Sequence, residues 1–129
     1  MLMPMLHKDL TEKILQAFYV VYNSLGYGFL EKVYENALQL ELQEMGLQAV
    51  TQQKVIVRYR GQPVGDYIAD IIVNDTVVIE LKAAVSLQEE HRAQLLNYLK
   101  ATDKEIGLLL NFGKKPEFKR LIYTNDRKE

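Results

Sequence analysis

The chain has 129 residues, of which 48% are hydrophobic and 26% charged, and its formal net charge is −1. These values are ordinary for a water-soluble globular protein, and the length fits one domain, 1–129, with a sizeable core. The absence of cysteine excludes disulfides, thiolate zinc sites and cysteine nucleophiles. No apolar run approaches the roughly 20 residues of a membrane-spanning helix, and the Met-rich start, 1–5, does not resemble a signal peptide. We therefore expect a cytoplasmic protein.

Charge is unevenly distributed along the chain. Residues 114–129 contain six basic and three acidic side chains, whereas the preceding residues contain ten basic and fourteen acidic ones. A basic end on a slightly acidic body favours contact with a phosphate backbone, but a solvated tail has the same composition. This feature alone leaves both interpretations open.

The spacing of apolar residues predicts two helices followed by three strands. Both helices end at a glycine, Gly26 for the first and Gly46 for the second. A turn at 60–62 separates the first two strands, and turn-forming residues separate the second from the third. In chain order the predicted elements are helix 6–25, helix 30–40, strand 53–59, strand 67–73 and strand 77–82.

The second half of the chain predicts a crossover helix and two more strands. Ser86 has the character of an N-cap for a helix that runs to about Lys100. Residues 105–112 form a strand whose core, 107–110, is apolar throughout, which indicates cover on both faces, and 118–123 form an edge strand. The predicted fold is therefore an α/β domain with a mixed sheet. Its first three strands form an antiparallel meander, a further strand follows the crossover helix, and helices flank the sheet.

Two acids and a lysine interrupt the apolar residues of the central strands. These are Asp70 on one strand and Glu80 and Lys82 on the next. Burying a charge costs several kcal/mol unless the charge is paired or bound to a metal. A salt bridge to Lys82 or an arginine is the structural alternative. We favour a metal site, because two carboxylates and one lysine leave one charge unpaired.

The length of the connecting loop decides whether the acids meet. If 74–76 is a three-residue loop, Val73 faces Val77 and Asp70 falls opposite Glu80, with β-carbons about 4.5–5.5 Å apart. Lys82 shares that face, because side chains alternate along a strand. A two-residue loop would send the acids to opposite faces. Ligation by carboxylates alone suits Mg²⁺ or Mn²⁺ and disfavours zinc.

A further motif lies upstream, in Gly28-Phe-Leu-Glu31-Lys-Val-Tyr34. This G-x-x-E-x-x-Y pattern resembles the signature of the GxxExxY protein family, which is itself similar to the PD-(D/E)xK nuclease superfamily. The resemblance runs from about 25 to 122, and Ala69 stands where the superfamily name has proline. Its other elements, in order, are Tyr59-Arg-Gly61, Ala69-Asp70, Glu80-Leu-Lys82, Gln94-Leu-Leu-Asn-Tyr98 and Gly107-Leu-Leu-Leu-Asn-Phe112.

The resemblance implies a restriction-endonuclease-like core with one metal-dependent active site. Asp70 and Glu80 would bind Mg²⁺ or Mn²⁺, with the backbone carbonyl of Leu81 as a further ligand. Glu31 would complete the metal shell, and Lys82 would orient or activate the attacking water. We expect Tyr34 to serve packing or to support the site.

The resemblance also implies residues that contact DNA. Gln94 and Tyr98 match the Q-x-x-x-Y pattern of recombination-type exonucleases, although a buried structural Gln–Tyr pair gives the same spacing. His91 fits a helix-surface or capping role and is not expected to be catalytic. The basic residues of the C-terminal part are further candidates for nucleic-acid binding: Lys114, Lys115, Lys119 and Arg120.

We therefore expect a metal-dependent nuclease that acts on DNA. The alternative is a non-catalytic module of the same fold that binds nucleic acid or another protein. So small a core implies little sequence specificity, so a homodimer or a partner protein would help it to grip DNA. The strands near Tyr59 and Tyr123 are the edges available for such contacts.

Overall fold

The computed structural model describes residues 6–128; the segment 1–5, interpreted above as unlike a signal peptide, lies outside the described residues. The described chain forms three α-helices, five strands and a short 3-10 helix at Asn125–Arg127. The elements are α1 (Lys8–Leu25), α2 (Glu31–Glu44), β1 (Ala49–Tyr59), β2 (Gln62–Val73), β3 (Val77–Lys82), α3 (Glu89–Ala101), β4 (Ile106–Phe112) and β5 (Pro116–Ile122). None of these helices is long and apolar enough to cross a lipid bilayer.

The five strands form one mixed sheet in the order β1-β2-β3-β4-β5. Neighbouring strands are antiparallel except β3 and β4, which are parallel and joined by α3. A parallel pair needs such a crossover, because a tight turn cannot return the chain to the same end of the sheet. The predicted meander, crossover helix and terminal edge strand are confirmed.

Helices cover both faces of the sheet. One core lies between the sheet and the helices α1 and α2, and includes Phe18, Tyr34 and Ile79. The other lies between the sheet and α3, and includes Val78 and Leu95. Every residue of β4 is buried, as its continuous apolar run predicts.

The start of α3 differs from the prediction that Ser86 is its N-cap. The N-cap is Gln88, whose backbone N–H donates to Nδ1 of His91 at 3.0 Å and whose side chain accepts from the backbone N–H of His91. This reciprocal arrangement satisfies two donors at the helix start, which a serine two residues earlier cannot reach. Ser86 instead accepts a hydrogen bond from the Gln88 side chain at 2.9 Å. The capping role of His91 is confirmed.

Candidate active site

The β2–β3 hairpin has the register that brings the two acids together. Val73 pairs with Val77 and Ile71 with Ile79, so the loop contains three residues. Asn74 and Asp75 adopt left-handed backbone conformations, with φ of 51° and 52°, which short polar side chains tolerate best. The odd loop length is thus confirmed.

The regular β2–β3 ladder ends one step before Asp70 and Glu80. Its last pair is Ile71–Ile79, and in a continued register Leu81 would face Ala69. Instead, the backbone N–H of Leu81 donates to Oδ2 of Asp70 at 2.7 Å. The Asp70 carboxylate therefore takes the place of a ladder partner, and its hydrogen bond links β2 to β3 at this end of the hairpin.

The carboxyl groups of Asp70 and Glu80 lie close enough for each to shift the pKa of the other. Glu80 is only 8% exposed. Burial, followed by the charge of Asp70, raises the pKa of Glu80 to about 9. Burial also raises the pKa of Asp70, while the N–H of Leu81 acts in the opposite direction. Glu80 is therefore protonated at pH 7 unless a cation binds beside it.

Lys82 is the cation nearest in sequence to this pair. It is half-buried, and its charge acts against the rise in the Glu80 pKa. Within residues 6–128 Lys82 forms no ion pair. The salt bridge considered as the structural alternative is therefore absent from the described part of the chain, and the Lys82 ammonium is available to another group.

Asp70 also lines a small cleft of about 200 Å³ against α2. Glu31, the first residue of α2, is exposed at this cleft, and its charge contributes to the raised pKa of Asp70. Glu35, one turn later, is buried and lines the same cleft. Lys32 donates to Oε2 of Glu35 and Gln52 donates to Oε1, each at 2.6 Å. The helix thus presents two carboxylates to Asp70.

Glu35 was not among the site residues predicted from the sequence. The signal was present, because residues four apart share a helix face and Glu35 follows Glu31 at that spacing. Gln52, which holds Glu35, was missed as well, and it has a left-handed backbone with φ of 55° in the middle of β1. A bend of this kind in a strand changes the direction in which a side chain points, and no sequence pattern predicts it.

Comparison with known proteins places this chain in a family. A family model described as the PD-(D/E)XK nuclease superfamily matches residues 8–121. The chain belongs to the PD-(D/E)XK nuclease superfamily. The crystal structure of SSO0001 is similar with a TM-score of 0.60 at 19% identity, over 92% of this chain and 63% of that chain. That likeness shows the fold alone, and this chain spans less than two thirds of SSO0001. No curated protein sequence matches the chain.

The predicted restriction-endonuclease-like core is thus confirmed, and members of the PD-(D/E)XK superfamily generally use divalent metals. The donors here are carboxylate oxygens, a set that suits Mg²⁺ or Mn²⁺. Within residues 6–128 no three acidic or histidine side chains converge on one point. A Mg²⁺ ion held only by Asp70 and Glu80 would need water or other oxygens to complete its shell. Glu31 as a direct ligand stays a prediction.

Gln94 and Tyr98, which are predicted to contact DNA, both lie on α3. Tyr98 is buried on α3, where burial and then the charge of Glu80 raise the pKa of its hydroxyl. Gln94, one turn earlier, is exposed. The pair therefore includes one residue beside the acid pair and one that faces solvent.

The four basic candidates are not equivalent. Lys114, Lys115 and Lys119 are exposed on the β4–β5 turn and on β5. Arg120 instead donates to the backbone carbonyl of Leu6, and burial lowers the pKa of its guanidinium. The structure therefore gives Arg120 a contact within the chain and leaves the three lysines facing solvent.

The tyrosine of the G-x-x-E-x-x-Y segment has a packing role, as expected. The hydroxyl of Tyr34 donates to the carbonyl of Gly26 at 2.6 Å and accepts from the N–H of Phe29 at 3.2 Å. Its ring stacks on Phe112 with a centroid distance of 4.3 Å. Tyr34 thereby fixes the loop that leads into Glu31.

Proposed function

We propose that this protein is a Mg²⁺- or Mn²⁺-dependent nuclease that hydrolyses phosphodiester bonds in DNA. The observation that supports this most strongly is the juxtaposition of buried Glu80 with half-buried Asp70, beside a Lys82 that forms no ion pair within residues 6–128, in a chain of the PD-(D/E)XK superfamily. Two carboxyl groups brought together in a partly buried site oppose each other's ionisation. A cation that binds them during function would account for this arrangement.

Each side chain has a distinct task in this proposal. Asp70 and Glu80 would hold the cation, and Glu80 would bind it as the ionised carboxylate. The backbone carbonyl of Leu81 and the carboxylate of Glu31 supply further oxygens. The bound cation would polarise a phosphoryl oxygen and lower the pKa of an attacking water.

Lys82, Gln94 and Tyr98 act on the substrate in this proposal. The ammonium of Lys82 orients the attacking water and stabilises negative charge that develops on the phosphoryl group. Gln94 and Tyr98 position the DNA strand relative to the acid pair. Exposed Lys114, Lys115 and Lys119 contribute phosphate contacts, whereas the internal bond of Arg120 gives it a structural task.

The decisive experiment is cleavage of labelled single- and double-stranded DNA in Mg²⁺ and Mn²⁺. The parent is compared with Lys82→Ala and Asp70→Asn, and with Lys13→Ala as a matched control, because Lys13 is exposed on α1. Metal-dependent cleavage that both site variants lose and Lys13→Ala retains is expected. A parent that neither cleaves DNA nor binds metal would instead favour the non-catalytic module.

A further inference from the structure

An apolar groove opens at the carboxyl ends of β3 and β4. It has a volume of about 320 Å³, at the lower end of the roughly 300–1,000 Å³ typical of small-molecule sites. Lys114 is the one charged residue among those that line it. We call it the aromatic groove, and its lining consists of Tyr27, Gly28, Phe29, Ala83, Ala84, Val85, Phe112, Gly113 and Lys114.

Two walls of the aromatic groove continue directly from proposed active-site residues. The segment that begins with Ala83 follows Lys82, and the loop that carries Tyr27 and Phe29 leads into Glu31. A DNA strand with its scissile phosphate at Lys82 would therefore have neighbouring nucleotides within reach of the groove.

The backbone of each wall is held by a side chain from the interior. Tyr34 bonds to both ends of the 26–29 loop, as described above. The Asn111 amide accepts from the N–H of Ala84 at 2.9 Å and donates to its carbonyl at 3.0 Å. Tyr22 donates to the carbonyls of Gly113 and Lys114, each at 2.7 Å. The groove is thus preformed and does not depend on a ligand for its shape.

Three large apolar side chains on these fixed walls are exposed to solvent. Tyr27 is 58% exposed, Phe29 48% and Val85 94%. Contiguous apolar surface of this kind on a rigid support marks a binding site more often than chance. Two aromatic rings next to a lysine are the combination that binds single-stranded nucleic acid, because bases stack on the rings and a phosphate pairs with the ammonium.

We propose that the aromatic groove binds unpaired bases of a single DNA strand, with Tyr27 and Phe29 as stacking platforms and Lys114 as the phosphate contact. The inference rests on the nuclease function proposed above and gives it a substrate class. The preferred substrate is a single strand or the unpaired end of a duplex. Bases within a duplex are already stacked and cannot reach the rings.

The test measures binding without chemistry. A fluorescent oligothymidylate and a duplex of equal length are titrated with the protein in EDTA. The parent is compared with Tyr27→Ala and Phe29→Ala, and Tyr19→Ala serves as a control because Tyr19 is an exposed tyrosine on α1. Loss of one platform should weaken single-strand binding about 10-fold or more, whereas Tyr19→Ala should bind like the parent.

Two further variants test separately the aromatic ring of Phe29 and the charge of Lys114. Phe29 contacts Tyr34 edge-to-face at 6.0 Å, so Phe29→Leu retains apolar packing and removes only the aromatic ring. Lys114→Gln should weaken binding and reduce its salt dependence by about one phosphate contact. Lys13→Gln is the control for that charge and should leave both quantities unchanged.

The outcomes separate this inference from the proposed function. The proposal that the aromatic groove binds unpaired bases would be overturned by either of two results. One is equal single-strand binding by the parent and by the double variant Tyr27→Ala/Phe29→Ala, and the other is a parent that prefers duplex. Either result with metal-dependent DNA cleavage intact leaves the nuclease function standing. A parent that neither binds nor cleaves DNA overturns both.

Discussion

The backbone N–H of Leu81 donates to Oδ2 of Asp70 at 2.7 Å where the β2–β3 ladder ends, and the buried carboxyl of Glu80 is the residue before Leu81 on β3. Burial and the charge of Asp70 raise the pKa of Glu80 to about 9. A proton on Glu80 and a cation bound by the two acids would therefore compete. Stability, metal binding and pH are linked at this one position.

The first prediction concerns the pH dependence of the metal-free protein. The pKa of Glu80 is about 9 in the folded state against 4.5 in a free side chain, so between these values the folded state binds more protons than the unfolded state. Its free energy of unfolding therefore falls as pH rises. From pH 5.5 to 8.5 the loss attributable to Glu80 is at most about 4 kcal/mol, the limit for one proton.

Glu80→Gln isolates this effect, because the amide retains the shape of the side chain and cannot ionise. Urea unfolding in EDTA at both pH values gives the free energies for the parent and the variant. The parent should lose more stability than Glu80→Gln between the two conditions. Parallel losses in the two proteins would show that Glu80 is ionised in the folded state.

The second prediction concerns metal binding. Mn²⁺ or Mg²⁺ should raise the melting temperature of the parent, since a ligand at 100 times its Kd stabilises the folded state by about 2.7 kcal/mol. Binding should also release a proton from Glu80, so the effect should be larger at pH 8 than at pH 6. Calorimetric titration in buffers of different ionisation enthalpy counts the protons.

Asp70→Asn is the matched test of ligation, because it removes a charged oxygen without removing the acceptor for Leu81. It should abolish most of the metal-dependent rise in melting temperature. Asp66→Asn, on the exposed part of β2, is the control and should respond to metal like the parent. A full response in Asp70→Asn would exclude Asp70 as a ligand.

The hairpin could be predicted from the sequence because local chemistry determines it. Turn formers at Asn74 and Asp75 and apolar residues on both sides leave few alternatives for the register, and that register brings Asp70 to Glu80. The bounds of the strands were less predictable. β1 begins at Ala49 and β2 at Gln62, since backbone pairing continues into polar and exposed positions that carry no apolar pattern.

The parts of the site that the sequence did not reveal depend on tertiary contacts. The burial of Glu35 is set by the packing of α2 against β1, and its partner Gln52 reaches it through a backbone bend. The four-residue spacing of Glu35 from Glu31 predicts a shared helix face, but a surface pair has the same spacing. The prediction that Ser86 caps α3 was wrong because the helix start is set by another contact, the hydrogen bond from Gln88 to His91.

The third prediction separates function from folding at Gln94. This side chain is exposed on α3, so Gln94→Ala should change the free energy of unfolding by less than about 0.5 kcal/mol. If Gln94 positions DNA, cleavage should fall about 10-fold or more while metal binding stays intact. Gln43→Ala, an exposed glutamine on α2, provides the control in the same cleavage assay. Equal activity of the two variants would assign Gln94 to the solvated surface.

The fourth prediction concerns the wall of the aromatic groove at Gly113. A β-carbon there would lie 2.1 Å from the backbone carbonyl oxygen of Ala84, and two hydrogen bonds of the Asn111 amide hold Ala84 in place. Backbone clamped in this way cannot yield as a flexible side chain would. Gly113→Ala should therefore destabilise the fold by about 3 kcal/mol or more, since the strand ends must separate.

Gly65→Ala is the matched control, because a β-carbon at Gly65 meets no atom within 4 Å. In an exposed strand that substitution should be neutral or slightly stabilising, as it lowers the entropy of the unfolded chain. Urea unfolding of both variants in EDTA measures the contrast without interference from metal. Similar stabilities for the two would mean that the Ala84 segment can move away from β4. In that case the groove would not be preformed, and its rings would become ordered only when DNA binds.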